Sequence, residues 1–379
     1  MTRVPFTHPA LFNEDIVAVT EAIKSGKTSG CGPFTQKAQS LLEDEISPKG
    51  RALLTTSCTH ALEIAAILLD LCPGDEIIVP SYTFVSSALA FHMHGAKIIF
   101  ADIRKDTLNI DESKLEELIT SRTRAVVVVH YAGVACEMQS IQAITNEYNL
   151  TLIEDNAHGL FGEYQDMKLG SIGDIATQSF HETKNISCGE GGALILNNNF
   201  FFERANVVRD KGTNRAKFLL GQVDKYSWVD KGSSYVLSDV LAALLYSQLL
   251  LSKKIQQKRK NIWNTYDERL RKWSISNGIS LPFVPESCKQ TYHMFYLLCP
   301  NFAWRNKFIN YLATQGISAT SHYQPLHTSE FGRKFCLSEK DVCPVTSLVS
   351  ETIVRLPMFY DMSDLQLDYV IDRICEYKP

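Results

Sequence analysis

This 379-residue chain has no apolar run approaching the roughly 18 residues that a membrane-spanning helix needs. No membrane association is therefore predicted. It has no Cys-x-x-Cys pair either: the ten cysteines, at positions 31, 58, 72, 136, 188, 288, 299, 336, 343 and 375, are scattered through apolar segments. That distribution argues against a disulfide frame, and the cysteines are expected to be reduced core residues of a cytoplasmic protein. Charge of one sign is not in excess, since 38 basic and 42 acidic side chains leave a net charge of −4, and no basic stripe suggests a nucleic-acid partner. Met1 to Glu14 lacks the apolar core of a secretory signal. There is no internal repeat, no low-complexity tract, and no Gly-x-Gly-x-x-Gly opening a helix after a strand. His130, His322 and His327 lack the tight spacing of zinc ligands, so no metal is expected.

What is present suits a large α/β enzyme. Hydrophobic residues make up 45% of the chain, enough for a sizeable core, and the length favours two or three domains. Strand-like runs at 52–55, 76–80, 97–101, 125–130, 151–154, 175–180 and 193–196 alternate, in the first part, with helical patterns at 61–71, 85–94, 112–118 and 140–148. The alternation predicts a mostly parallel sheet covered on both faces. From Ser238 to about Lys272 the apolar spacing predicts a helix or a helix pair. Strands at 291–298 and 317–323, flanking a helix at 302–314, and a closing amphipathic helix at 363–376 predict a smaller α+β unit. The expected division is residues 1–250 for the large α/β domain and 251–379 for the small one.

The segment Ser179-Phe180-His181-Glu182-Thr183-Lys184-Asn185, followed by Gly189-Glu190-Gly191-Gly192, places one lysine between a strand and a glycine-rich turn. Upstream, the run Leu150 to Ile153 ends in Glu154-Asp155, a carboxylate at a strand's carboxyl end. A lysine can hold an aldehyde carbon as an imine and then move a proton. A buried carboxylate keeps a pyridine nitrogen protonated. Together, Lys184 and Asp155 can hold the two ends of pyridoxal phosphate. Thr55 to Glu63 reads as a strand, then hydroxyls, then a helix, so Ser57, Cys58 and Thr59 form a candidate phosphate cup at a helix start, with Ser179 adding a hydroxyl. Taken by itself, Phe84 reads as a core residue, and His158 as a structural histidine. Arg209 to Lys231 has little periodicity and is predicted to be a long ordered loop.

These motifs, in their order, resemble the DegT/StrS group of pyridoxal-phosphate-dependent nucleotide-sugar aminotransferases, which have the aspartate aminotransferase fold (fold type I). The resemblance is carried by Pro80-Ser81-Tyr82-Thr83-Phe84-Val85-Ser86, His130-Tyr131-Ala132-Gly133, Glu154-Asp155, Ser179 to Asn185, Gly189 to Gly192, Gly212-Thr213-Asn214-Arg215 and His322-Tyr323-Gln324-Pro325-Leu326-His327. More narrowly, the chain is similar to the transaminases that make dTDP-4-amino-4,6-dideoxygalactose. The resemblance implies that Lys184 binds the cofactor covalently, Asp155 pairs with its ring nitrogen, Phe84 covers one ring face, and His158 stands near the ring hydroxyl. Cys58-Thr59 takes the place of the usual Gly-Thr step of the phosphate cup. Ser234 stands where many members have an asparagine that reaches the partner subunit's phosphate. L-glutamate and dTDP-4-keto-6-deoxyglucose are the implied substrates, and a homodimer with active sites at the interface the implied assembly. Asn214, Arg215, Lys225 or Trp228 could then reach the neighbouring subunit's sugar nucleotide. A C-3 aminotransferase would use the same cofactor residues. A C-3 dehydratase is disfavoured by the presence of Lys184, and a non-catalytic regulator by the lack of a helix-turn-helix pattern.

Overall fold

The computed structural model describes residues 3–335 and 342–378; Cys336 lies outside them. Seven strands, β1 (Arg51–Thr55), β2 (Glu76–Pro80), β3 (Lys97–Ala101), β4 (Thr123–Val129), β5 (Thr151–Asp155), β6 (Ile175–Ser179) and β7 (Gly192–Leu196), form one sheet in the order β1-β7-β6-β5-β4-β2-β3. The five strands from β3 to β6 are parallel. β7 runs antiparallel between β6 and β1. The central strands are buried along nearly their whole length because both faces are covered, as expected of a parallel sheet inside an α/β fold.

The helices that do the covering are α1 (Asn13–Lys24), α2 (Pro33–Ile46), α3 (Cys58–Leu68), α4 (Ser86–Met93), α5 (Met138–Glu147) and α6 (Asp239–Leu250). α3 and α4 pack on the face carrying Leu53, Ile77, Val79, Val127, Ile153 and Leu194. α1, α2 and α6 pack on the opposite face over Leu54, Ala176, Ala193 and Ile195, and α5 continues that layer over Ile78, Val126, Val128 and Leu152. α1 and α2 are additions to the sequence reading. The signal for α2 is Pro33 in its first turn with Phe34, Ala38, Leu42 and Ile46 buried at four-residue spacing. Its start is capped from a distance: the Asp239 carboxylate accepts hydrogen bonds from the Phe34 and Thr35 N–H groups and the Thr35 hydroxyl.

The helical stretch predicted from Ser238 is a pair, α6 and the 25-residue α7 (Ser252–Ser276). α7 enters a second core with β8 (Tyr296–Leu298), α8 (Phe302–Thr314), β9 (Ile353–Arg355) and α9 (Asp364–Glu376). β8 and β9 pair antiparallel. Val4 belongs to the same core and bridges Ile317, so the amino-terminal segment is tied to the carboxyl-terminal part of the chain.

Four expectations need correction. The stretch 317–323 is extended but is no strand: only Ile317 and Thr320 make isolated bridges, to Val4 and Arg355. Of 291–298, only the last three residues pair in a strand. The predicted loop from Arg209 to Lys231 contains a short helix, Arg215–Leu219, and is pinned by bridges from Asp210 to Ser234 and Thr213 to Trp228. Cys31, Cys72 and Cys375 are exposed rather than core residues, whereas Cys136, Cys188, Cys288, Cys299 and Cys343 are buried. Among the described residues, no helix is long and apolar enough to cross a membrane.

Candidate active site

A cavity of about 500 Å³ opens at the carboxyl ends of β1, β2, β5 and β6, where open α/β sheets bind ligands. Ser57, Cys58, Thr59, Phe84, Asp155, His158, Ser179 and Lys184 all line it. Ser234, the remaining residue singled out from sequence, does not: it is exposed on the segment that bridges to Asp210.

The Lys184 turn lies between β6 and β7 and is a closed backbone structure. Phe180 N–H donates to Gly191 O, Cys188 N–H to Phe180 O, Glu182 N–H to Gly189 O and Lys184 N–H to His181 O. Among the described residues the Lys184 amine has no hydrogen bond or ion pair. Loss of surrounding water lowers its pKa to about 8, while Cys58 and Asp155 pull the other way. Asp155 ends β5 and is buried; its carboxylate accepts from the Ser87 hydroxyl at 2.6 Å and the Ala157 N–H at 3.2 Å.

At the opposite end, Ser57 caps α3 by accepting from His60 N–H at 3.1 Å, while Thr59 and Ser86 share a hydroxyl contact of 2.7 Å. The free N–H groups and positive end of an 11-residue helix therefore face the cavity. The Cys58 thiol sits 3.4 Å from the Thr177 hydroxyl, and burial pushes its pKa well up, so it contributes as a small neutral group. Phe84 is 56% exposed and lies 6.4 Å from the Tyr323 ring. The core reading drawn from its apolar neighbours is thus overturned: it is an aromatic left facing a cavity. His158 stacks on His293 at 4.3 Å, and its buried Nδ1 has no hydrogen-bond partner.

Sequence reasoning missed the far wall. Arg259 from α7, His293, Tyr323 and Arg355 from β9 close the cavity from the carboxyl-terminal side. The Arg355 guanidinium lies 4.8 Å from the Phe6 ring; its Nε has no partner, and burial lowers its pKa while Tyr131, Tyr323 and Tyr82 oppose the shift. An arginine inside the apolar run Ile353 to Phe359 was the signal available. His322 is held by Tyr131 across 2.9 Å and stacks on Tyr323. His130 instead contacts Glu154, and His327 contacts Ser81, outside the cavity lining. His181 lies at the mouth, 3.7 Å from Glu190. Asn214 closes its own loop through Lys225 and Ser227, and Arg215 pairs with Asp210.

A family model described as the DegT/DnrJ/EryC1/StrS aminotransferase family matches residues 9–375. The chain belongs to this family. Relatives of this aminotransferase include the spore coat polysaccharide biosynthesis protein SpsC of Bacillus subtilis, 31% identical with 98% of this chain and 96% of SpsC covered. Among solved structures, Helicobacter pylori PseC, an aminotransferase involved in pseudoaminic acid biosynthesis, superposes with a TM-score of 0.89 at 26% identity, covering 98% of each chain. Spr1654 of Streptococcus pneumoniae in its PLP form gives 0.89 at 25% identity, again over 98% of each. The aminotransferase is thus a pyridoxal-phosphate-dependent enzyme of fold type I.

The cavity fits that cofactor on its own geometry. It brings together a lysine amine with no partner among the described residues, a buried carboxylate and a helix amino terminus flanked by hydroxyls. Gly192 leaves the cup its room: a Cβ there would lie 2.3 Å from Ser57 C and 2.4 Å from Cys58 N. The orphaned Nδ1 of His158 is a further polar group with no protein partner.

Proposed function

We propose that this aminotransferase moves the amino group of L-glutamate to C-4 of dTDP-4-keto-6-deoxyglucose, giving dTDP-4-amino-4,6-dideoxygalactose and 2-oxoglutarate. The carrying observation is the convergence of Lys184, Asp155 and the α3 amino terminus on one cavity that is also lined by Arg355, whose guanidinium has no carboxylate partner among the described residues. The sugar class is supported by PseC and SpsC, and the narrower sugar assignment by the motif run from Pro80 to His327.

When bound, pyridoxal phosphate supplies the electron sink that makes the donor's α-hydrogen acidic. Ser57, Cys58, Thr59 and Ser179 would hold its phosphate, Asp155 its ring nitrogen, and His158 its ring hydroxyl, with Phe84 over the ring. Lys184 would hold the aldehyde carbon between turnovers. Burial lowers the pKa of its amine to about 8 in the cofactor-free site, which favours the neutral form relative to an exposed lysine; once freed, the amine would accept the α-proton of L-glutamate, and in the second half-reaction it would deliver a proton to C-4 of the sugar. Arg355 receives the donor's carboxylate: a guanidinium removed from water with no counter-ion among the described residues favours an anion that brings one. Ser234 and the exposed Trp228 loop face a second subunit in the homodimer that this reading includes.

The test is product analysis of the cofactor-loaded enzyme with L-glutamate and keto-sugar nucleotides. The expected result is 2-oxoglutarate in equal amount with one 4-amino product whose amine is axial. Amination of a 3-keto sugar alone, or an equatorial amine, would overturn the assignment.

A further inference from the structure

Most polar groups facing the cavity donate hydrogen bonds or can do either, and His293 is set apart by the way it is held. Asn185, next to the catalytic lysine in sequence, donates from its Nδ2 to the Thr291 carbonyl at 2.8 Å, with Gln256 Oε1 a second acceptor at 3.4 Å. Its Oδ1 therefore faces His293 Nδ1, 3.0 Å away. An amide oxygen can only accept, so Nδ1 must carry the hydrogen. Burial and the nearby Lys184, Arg259 and Arg355 charges disfavour a second proton. Nε2 is left with a lone pair. It has no hydrogen-bond partner among the described residues, on a residue that lines the cavity.

The surrounding backbone fixes this nitrogen in place. Arg259 donates from Nε to Tyr292 O at 3.0 Å and from its terminal nitrogen to His293 O at 2.5 Å. The Thr291 hydroxyl donates to His158 O at 2.7 Å. Tyr292 between them is held at φ +52°, a conformation an aromatic residue keeps only when its surroundings enforce it. The His158 ring, 19° from coplanar, stacks on the imidazole.

We infer that His293 is a specificity residue whose Nε2 accepts a hydrogen bond from a ring hydroxyl of the sugar substrate. The inference rests on the keto-sugar reading. Lys184 and Arg355 offer hydrogens, and the proposed function already commits the open side of the Asp155 carboxylate to the cofactor's ring nitrogen. A sugar brings hydroxyl hydrogens that need an acceptor, and a site built to pair with a hydroxyl discriminates strongly against an analogue lacking it.

The two half-reactions separate this role from a structural one. In the cofactor-loaded enzyme, His293→Phe keeps the ring stack; it is expected to leave the half-reaction with L-glutamate near its wild-type rate while kcat/KM for the keto sugar falls about 100-fold. His293→Gln, whose amide oxygen can accept, recovers part of that loss. For one of the 2-deoxy and 3-deoxy analogues, wild type and His293→Phe should become equally poor. Nitrogen-15 NMR of the histidine-labelled holoenzyme should place the His293 proton on Nδ1. A proton on Nε2, equal losses in both half-reactions, or no loss at all would overturn the inference. Wild-type enzyme that reacts with L-glutamate but aminates no keto-sugar nucleotide would instead sink the substrate reading itself, whatever the tautomer.

Discussion

Glu154 and Asp155 are neighbours on β5, both buried, and the alternation of strand side chains sends them to opposite faces of the sheet. Around Glu154 every position is filled: one oxygen accepts from the Ile172 and Gly173 N–H groups at 2.8 and 2.6 Å, the other from Gly170 N–H at 2.8 Å and His130 Nε2 at 2.9 Å. His130 in turn accepts from Cys136 N–H through Nδ1, so it reaches Glu154 as a donor. Around Asp155 there are two donors and an open cavity. Two buried carboxylates can thus hold different tasks, and the number of acceptor positions left without a protein donor separates them. A saturated carboxylate ties loops together; an unsaturated one awaits a cation from outside.

Substitutions at the two positions should part company. Asp155→Asn is expected to reduce turnover by about 100-fold or more, because a partner charge shifts a neighbouring proton equilibrium by roughly two units, while thermal unfolding of the cofactor-free protein moves little. Steady-state kinetics and a melting curve on one preparation check both halves. Glu154→Gln should do the reverse, costing about 1–3 kcal/mol of folding stability through mismatched buried donors, with catalysis of the folded fraction preserved; a denaturant titration reads this. Equal damage to activity from both changes would break the contrast.

The smallest expected effect sharpens it from across the cavity. The folded Lys184 amine releases its proton near pH 8, whereas an unfolded lysine does so near about 10.4. Between these values the unfolded chain holds the extra proton, so stability of the cofactor-free protein should rise with pH. Lys184→Met should flatten that rise in melting temperatures recorded from pH 8 to 10. A parallel slope in the variant would show that the lysine is not the group responsible.

The sheet and one half of the site were legible because each strand is a short apolar run that stops at a polar residue, and in a parallel sheet those stops gather at one edge. Lys184, Asp155 and the Ser57 to Thr59 cup announce themselves in this way. Arg259, His293 and Arg355 do not. They lie 75 or more positions beyond Lys184, in segments whose local pattern carries only helix or core information, and only the packing of α7 and β9 turns them toward the sheet. The reading of Phe84 as core, drawn from its neighbours alone, failed for a related reason: sequence neighbours report the average burial of a segment, and this residue departs from it. The stretch 317–323 has strand-like composition, but composition does not provide a partner edge.

The contact of Gly192 with the Ser57–Cys58 peptide has one more consequence. β7 begins at that glycine, directly after the turn that carries Lys184, and pairs with β1, which leads into the cup. The span from the Lys184 turn to the start of α3 is therefore a dimension of the sheet itself, set by the ladder between two strands. A ligand gripped at both points is measured against a fixed gauge, and any adjustment to substrates of different size falls to the wall built from the carboxyl-terminal third of the chain.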